Sequence, residues 1–137
     1  MYAQRNRWIA AALIWGAGLI MAASFSTTAA EPNQQDKLLR HIVLFKFKDD
    51  VTKDQVQEVA DAFAALPKKI KEIADFEWGL ENSPESLAQG FTHGFLVTFK
   101  SDDDRKAYLP HPEHLKFVEL VGPRVEKVLV FDYWTKK

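Results

Sequence analysis

Hydrophobic residues occupy both sides of an extended repeat in LLRHIVLFKFK, residues 38–48. His41, Val43, Phe45 and Phe47 share one face, and Ile42 and Leu44 share the other. β-Branched and aromatic side chains at a period of two predict a strand. Thr52, three residues before Gln55, forms the reciprocal pair that starts a helix. Val56, Val59, Ala60, Phe63 and Leu66 then recur at spacings of three and four, one apolar face of a helix running from Lys53 to about Ile73. Pro67, which has no N–H to donate, kinks that helix or ends its first part. ADFEWGLEN, residues 74–82, alternates Phe76, Trp78 and Leu80 inward against Glu77 and Glu81 outward. The polar loop SPESLAQG leads into FTHGFLVTF, with Phe91, His93, Phe95, Val97 and Phe99 on one face. Ser101 and the three aspartates after it predict a helix start, because a hydroxyl caps the free N–H groups and carboxylates favour the positive helix end. This helix breaks at Pro110 and restarts at Pro112, a favoured first helical position. Gly122-Pro123 is a further break, and KVLVFDYW, residues 127–134, is the last strand.

The β-α-β-β-α-β order predicts an α+β, ferredoxin-like fold: a four-stranded antiparallel sheet with helices on one face and the first and third strands at its centre. The first strand is apolar on both sides. The last carries Leu129, Phe131 and Tyr133 opposite Val128, Val130 and Trp134. Helices cover only one face, so the other needs a different cover. A second copy of the sheet is the economical one, which predicts a homodimer through the sheet face, a dimeric α+β barrel. A C-terminal tail or a long loop is the alternative cover, and the short loops offer little material for it.

The chain opens with Arg5 and Arg7, an apolar run over residues 8–25, and small residues up to Ala30. That order predicts a signal peptide over residues 1–30, cleaved before Glu31, with membrane attachment only if it stays uncleaved. Residues 31–37 are a polar, flexible lead-in, and residues 38–135 make one domain. The chain has no cysteine, which excludes disulfides and a lipid anchor on a cysteine, and suits a bacterial periplasmic or secreted protein. Removing the two leader arginines leaves 16 basic against 19 acidic residues, a formal charge of −3, with no electrostatic reason to bind nucleic acid.

Candidate chemistry concentrates in YLPHPEHLKFV, residues 108–118. With Pro112 as first helical residue, His114 lies in the first turn, where free backbone N–H groups oppose a positive charge. A neutral imidazole there suits a base. Tyr108 precedes it across the helix break, so the two side chains can share one cavity, and His111 sits where it can cap the helix. The same segment also reads as a turn whose prolines fix the backbone and whose histidines are exposed. His41 and His93 share the helix-facing side of adjacent strands, a polar spot that needs satisfying inside a core. A His-x-x-His pair without further ligands is a weak metal signal, and no metal is expected. Phosphate-binding glycine loops, G-x-S-x-G and a nucleophilic cysteine are all absent from the sequence.

The segments HIVLFKFKDDVT, Trp78-Gly79, GFTHGFLVTF, YLPHPEHLKFV and VLVFDY together resemble the stress-responsive A/B barrel (Dabb) family, over about residues 38–134. The resemblance implies a ferredoxin-like α+β fold that dimerises through its sheets. Most members have no assigned reaction. A plant branch, the olivetolic acid cyclase type, closes a linear polyketide by an aldol condensation without any cofactor. Matched motif by motif, this implies His114 as base, Tyr108 as its partner, and His41 and His93 lining the pocket. At the pocket-lining positions Ala60, Phe63 and Phe95, the two phenylalanines leave little room for a long alkyl tail. The expectation is a small dimeric barrel binding a hydrophobic, oxygen-bearing molecule, with cofactor-free proton-transfer or cyclase-type chemistry. The alternatives are a non-enzymatic stress or scaffold protein, and haem- or quinone-related chemistry by analogy of fold.

Overall fold

A computed structural model describes residues 37–136; the predicted leader and nearly all of the lead-in lie outside the described residues. The elements are β1 (Leu39–Phe47), α1 (Lys53–Ala64), β2 (Asp75–Leu80), β3 (His93–Phe99), α2 (Asp102–Tyr108), α3 (Pro112–Val121) and β4 (Val125–Trp134). The four strands form one antiparallel sheet in the order β2-β3-β1-β4, so β1 and β3 are the central pair. Among the described residues, no helix is long and apolar enough to cross a membrane.

The caps are where the residue types require them. The Thr52 hydroxyl accepts from the Gln55 N–H at 3.3 Å while the Gln55 side chain accepts from the Thr52 N–H at 3.0 Å. Ser101 accepts from the Asp104 N–H at 3.0 Å and starts α2. α1 is shorter than its apolar periodicity predicts. It ends at Ala64, and a single 3-10 turn, Leu66–Lys68, takes the chain past Pro67. The proline cannot supply the next helical N–H, yet Ile70 and Ile73 beyond it still reach the core.

Alternate residues of β1 (Leu39, His41, Val43 and Phe45) are buried under the helices, whereas Ile42 and Leu44 on the other face are half-buried. Phe63 of α1 stacks on Phe95 of β3 at 4.6 Å and meets Phe117 of α3 at 4.5 Å between ring centroids. One expectation needs correcting. Trp78 and Leu80 lie on the helix side of β2 but remain 39% and 64% exposed. β2 is an edge strand and the helices do not extend over its far end. On the face away from the helices, Leu129, Phe131 and Tyr133 of β4 are exposed beside Ile42 and Leu44, Phe131 at 58%. The fold thus has a second apolar face.

Candidate functional site

Two prolines make the site possible. Pro110 and Pro112 have no N–H, so the helix begun at Asp102 cannot continue, and the carbonyl of Leu109 is left without a helical donor. The N–H of Glu113, the residue that would have served it, donates instead to His111 Nδ1 at 3.2 Å, which makes His111 the cap of α3. His114, one residue further on, turns back and donates from Nδ1 to the Leu109 carbonyl at 2.8 Å. A carbonyl can only accept, so in the neutral ring the proton sits on Nδ1 and Nε2 carries the lone pair. Glu113 fixes this first turn by ion pairs to Lys116 at 2.6 Å and to Lys69 at 3.0 Å.

The His114 ring lies against Tyr108, with ring centroids 4.3 Å apart. Tyr108 is fully buried and also meets Phe99 and, edge-on, His41. Among the described residues its hydroxyl has no hydrogen-bond partner. An unpaired buried hydroxyl costs about 1–3 kcal/mol, so this group has an unfilled requirement. Tyr108, His114 and His41 wall a cavity of about 340 Å³ between α3 and the β1–β4 half of the sheet, in which Val128 and Val130 provide an apolar side. That volume is at the small end for ligand sites, and a mostly apolar wall with a few convergent polar groups is the usual form of one.

The cavity brings together His41, Tyr108, His114 and Phe63 of the residues singled out in the sequence. It does not include His93 or Phe95. Pairing of β1 with β3 sets His41 opposite Val97 and His93 opposite Phe45, so the two histidines lie four positions apart along the sheet and form no common polar spot. His93 instead stacks on Trp78 and lines a separate hollow of about 300 Å³ beside Leu80 and Phe91. Phe95 lies behind Phe63, one layer away from the cavity. Among the described residues, no three His, Cys, Asp or Glu side chains converge as a metal site would require.

Two polar residues at the site escape the sequence patterns. His41 Nδ1 is 2.7 Å from Asp132 Oδ1, and Arg105 donates to Asp132 Oδ2 at 2.6 Å. Asp132 interrupts the apolar run of β4 on the side of Val128 and Val130. A lone carboxylate at a core parity position was the available signal.

Electrostatics keep the aromatic polar groups neutral. Burial pushes Tyr108 ionisation far above the ordinary phenol range. Burial lowers His114 below its ordinary 6.5, aided by His41 and His111 and opposed by the Leu109 hydrogen bond. Burial lowers His93 as well. A group held neutral by the fold contributes stability that is complete above its unfolded value, about 6.5 for histidine, and is lost as pH falls through the folded value. Melting temperature is therefore expected to hold from about pH 8 to 7 and to fall below about pH 6.5. The His114 ring protons should titrate with a midpoint under 6.5 in NMR; a midpoint above it would contradict this burial.

The family described as Stress responsive A/B Barrel Domain matches residues 39–135. A stress-response A/B barrel domain-containing protein of Arabidopsis thaliana is 37% identical over 95 residues, covering 69% of this chain and 87% of the relative. Olivetolic acid cyclase of Cannabis sativa is 32% identical over 99 residues, covering 72% and 98%. Among solved structures, the hydroxynitrile lyase from Passiflora edulis superposes with a TM-score of 0.70 at 28% identity, over 73% of this chain and 94% of that one. A Bacteroides fragilis protein described as dimeric, with a ferredoxin-like fold and unknown function, gives 0.59 at 32% identity, over 72% and 96%.

Proposed function

The chain belongs to the stress-responsive A/B barrel (Dabb) family, and on that premise we propose that it binds a small hydrophobic molecule bearing a carbonyl oxygen and moves a proton on it without a cofactor. The observation that carries this reading is the Tyr108 hydroxyl: buried, without a hydrogen-bond partner among the described residues, and borne on a ring that lines the cavity against His114. As a neutral phenol it donates to the ligand oxygen and so makes the neighbouring C–H more acidic. Nε2 of the neutral His114 takes that proton. The electron pair moves onto the oxygen held by Tyr108, giving an enolate whose charge the hydroxyl stabilises. Two similar proteins named as a cyclase and a lyase lend support from outside the chain.

We further propose that two copies pair through the open sheet face, which would close the barrel. The exposed Leu129 and Phe131 and the dimeric description of a similar structure support this. Export rests on the leader alone: mass spectrometry of the protein from its native cell is expected to find a terminus near Glu31, and an intact Met1 would refute cleavage.

Acetophenone, with one carbonyl, one ring and an exchangeable methyl, is a suitable probe. In deuterated buffer the protein is expected to accelerate exchange of that methyl. Tyr108→Phe should leave the melting temperature unchanged or slightly raised, because it removes an unpaired hydroxyl. It should weaken acetophenone binding by about 2–10-fold, the worth of one net hydrogen bond. His114→Ala is a less clean variant, since it strips the Leu109 carbonyl of its donor. Binding without exchange would make the protein a carrier. No binding, or identical binding by Tyr108→Phe, would sink the reading of the cavity.

A further inference from the structure

The cavity has a second imidazole, and its support differs from that of His114. His41 and Asp132 are directly opposed residues of β1 and β4, so their side chains leave the sheet together. The carboxylate can only accept, so the 2.7 Å contact places a proton on His41 Nδ1 and the lone pair of the neutral ring on Nε2. The other carboxylate oxygen is held by Arg105 Nη1 at 2.6 Å, and Arg105 Nη2 is held by Asp102 at 2.6 Å in the first turn of α2. Three elements thus fix one ring, itself nearly buried, in the wall of the cavity that Tyr108 and His114 also line.

We propose that Asp132 and Arg105 are positioning residues that set His41 Nε2 as a hydrogen-bond acceptor for the cavity, so that the ligand carries a hydroxyl donor, phenolic or enolic, besides the oxygen held by Tyr108. This rests on the ligand-binding reading above. It narrows the ligand class to molecules with an acceptor oxygen and a separate hydroxyl, as in a hydroxylated aryl ketone or a β-dicarbonyl in its enol form. A ligand lacking the hydroxyl still binds through Tyr108 but more weakly, because it leaves His41 Nε2 desolvated and unpaired.

The chain of donors makes a specific test possible. Asn at 132 has one acceptor oxygen where Asp has two, and Arg105 can only donate. The charged guanidinium is the stronger claimant for that oxygen. The amide NH2 then faces His41 Nδ1, which has to accept, and the proton moves to Nε2. In 15N-histidine spectra at about pH 8, above the ordinary histidine value, the unaltered protein is expected to show His41 protonated on Nδ1 and Asp132→Asn to show it on Nε2. Adding Arg105→Met frees the amide oxygen to turn back, and the Nδ1–H form should return. An ion pair that merely ties α2 to β4 predicts no such reversal. The ligand half is read with 4-hydroxyacetophenone and 4-methoxyacetophenone, whose carbonyl oxygens can both accept from Tyr108 while only the first has a separate hydroxyl to donate. The phenol is expected to bind about 2–10-fold tighter, to lose that advantage in Asp132→Asn and to regain it in the double variant. Nε2–H in the unaltered protein, or no change on Asp132→Asn, overturns the positioning role. Equal binding of phenol and ether overturns the hydroxyl requirement. Binding of neither overturns the ligand reading itself, a result separate from the tautomers because those are measured without any ligand.

Discussion

Phe131→Lys, and separately Leu44→Lys, is expected to convert a dimer into a monomer in light scattering. Ile42, Leu44, Leu129 and Phe131 lie together on the face away from the helices, and Phe131 is the most exposed of them. A lysine set among such residues leaves a charge without a partner, at a cost of about 3–5 kcal/mol once buried. In a two-fold interface each substitution is met twice, so the loss is roughly 6–10 kcal/mol. A micromolar dimer has only about 8 kcal/mol to lose. The monomeric variant should keep its fold, because the core under the helices is untouched, and circular dichroism checks this. A monomeric wild type, or a dimer indifferent to both lysines, would mean that the open face has some other use.

How far this fold can be read from its sequence depends on the range of the interaction. Short-range chemistry is legible. Thr52 with Gln55, Ser101 before three aspartates, and proline at 110 and 112 each act within four residues, and the elements begin or end there. Parity along a strand likewise gives the side of the sheet, which is why His41, Val43 and Phe45 are correctly placed towards the helices. Parity says nothing about what covers that side, and Trp78 and Leu80 point the expected way yet stay exposed, Trp78 covered in part by the His93 ring. It also says nothing about register. His41 and His93 share a face, but the pairing of β1 with β3 places them four positions apart along it. The least legible feature is the pair formed across 91 residues by His41 and Asp132, with Arg105 27 residues from Asp132. Neither spacing has a local signature. Only the oddity of a carboxylate inside VLVFDYW marks the place.

Phe63→Ala carries the largest expected cost in the core, and it tests the wall of the cavity at the same time. Phe63 is almost wholly buried and touches Phe95, Phe117 and Phe76, which belong to three different elements. Those neighbours are anchored separately and cannot all collapse into the space, so the variant should lose about 3–5 kcal/mol in urea unfolding, a large part of the roughly 5–15 kcal/mol that holds a domain together. Phe63→Leu, which keeps most of the volume, should lose less. The new void should also merge with the existing cavity, since Phe63 is part of its lining. In the wild type 4-pentylphenol should gain nothing over 4-ethylphenol, because its three extra methylenes meet the Phe63 ring. In Phe63→Ala those methylenes can be buried at about 0.8 kcal/mol each, and the longer phenol should bind more tightly and restore part of the lost stability by mass action. A cost below about 1 kcal/mol would show that the helices repack freely around this position. A large cost with no preference for the longer chain would show that Phe63 supports the core without bounding the space in which a ligand sits.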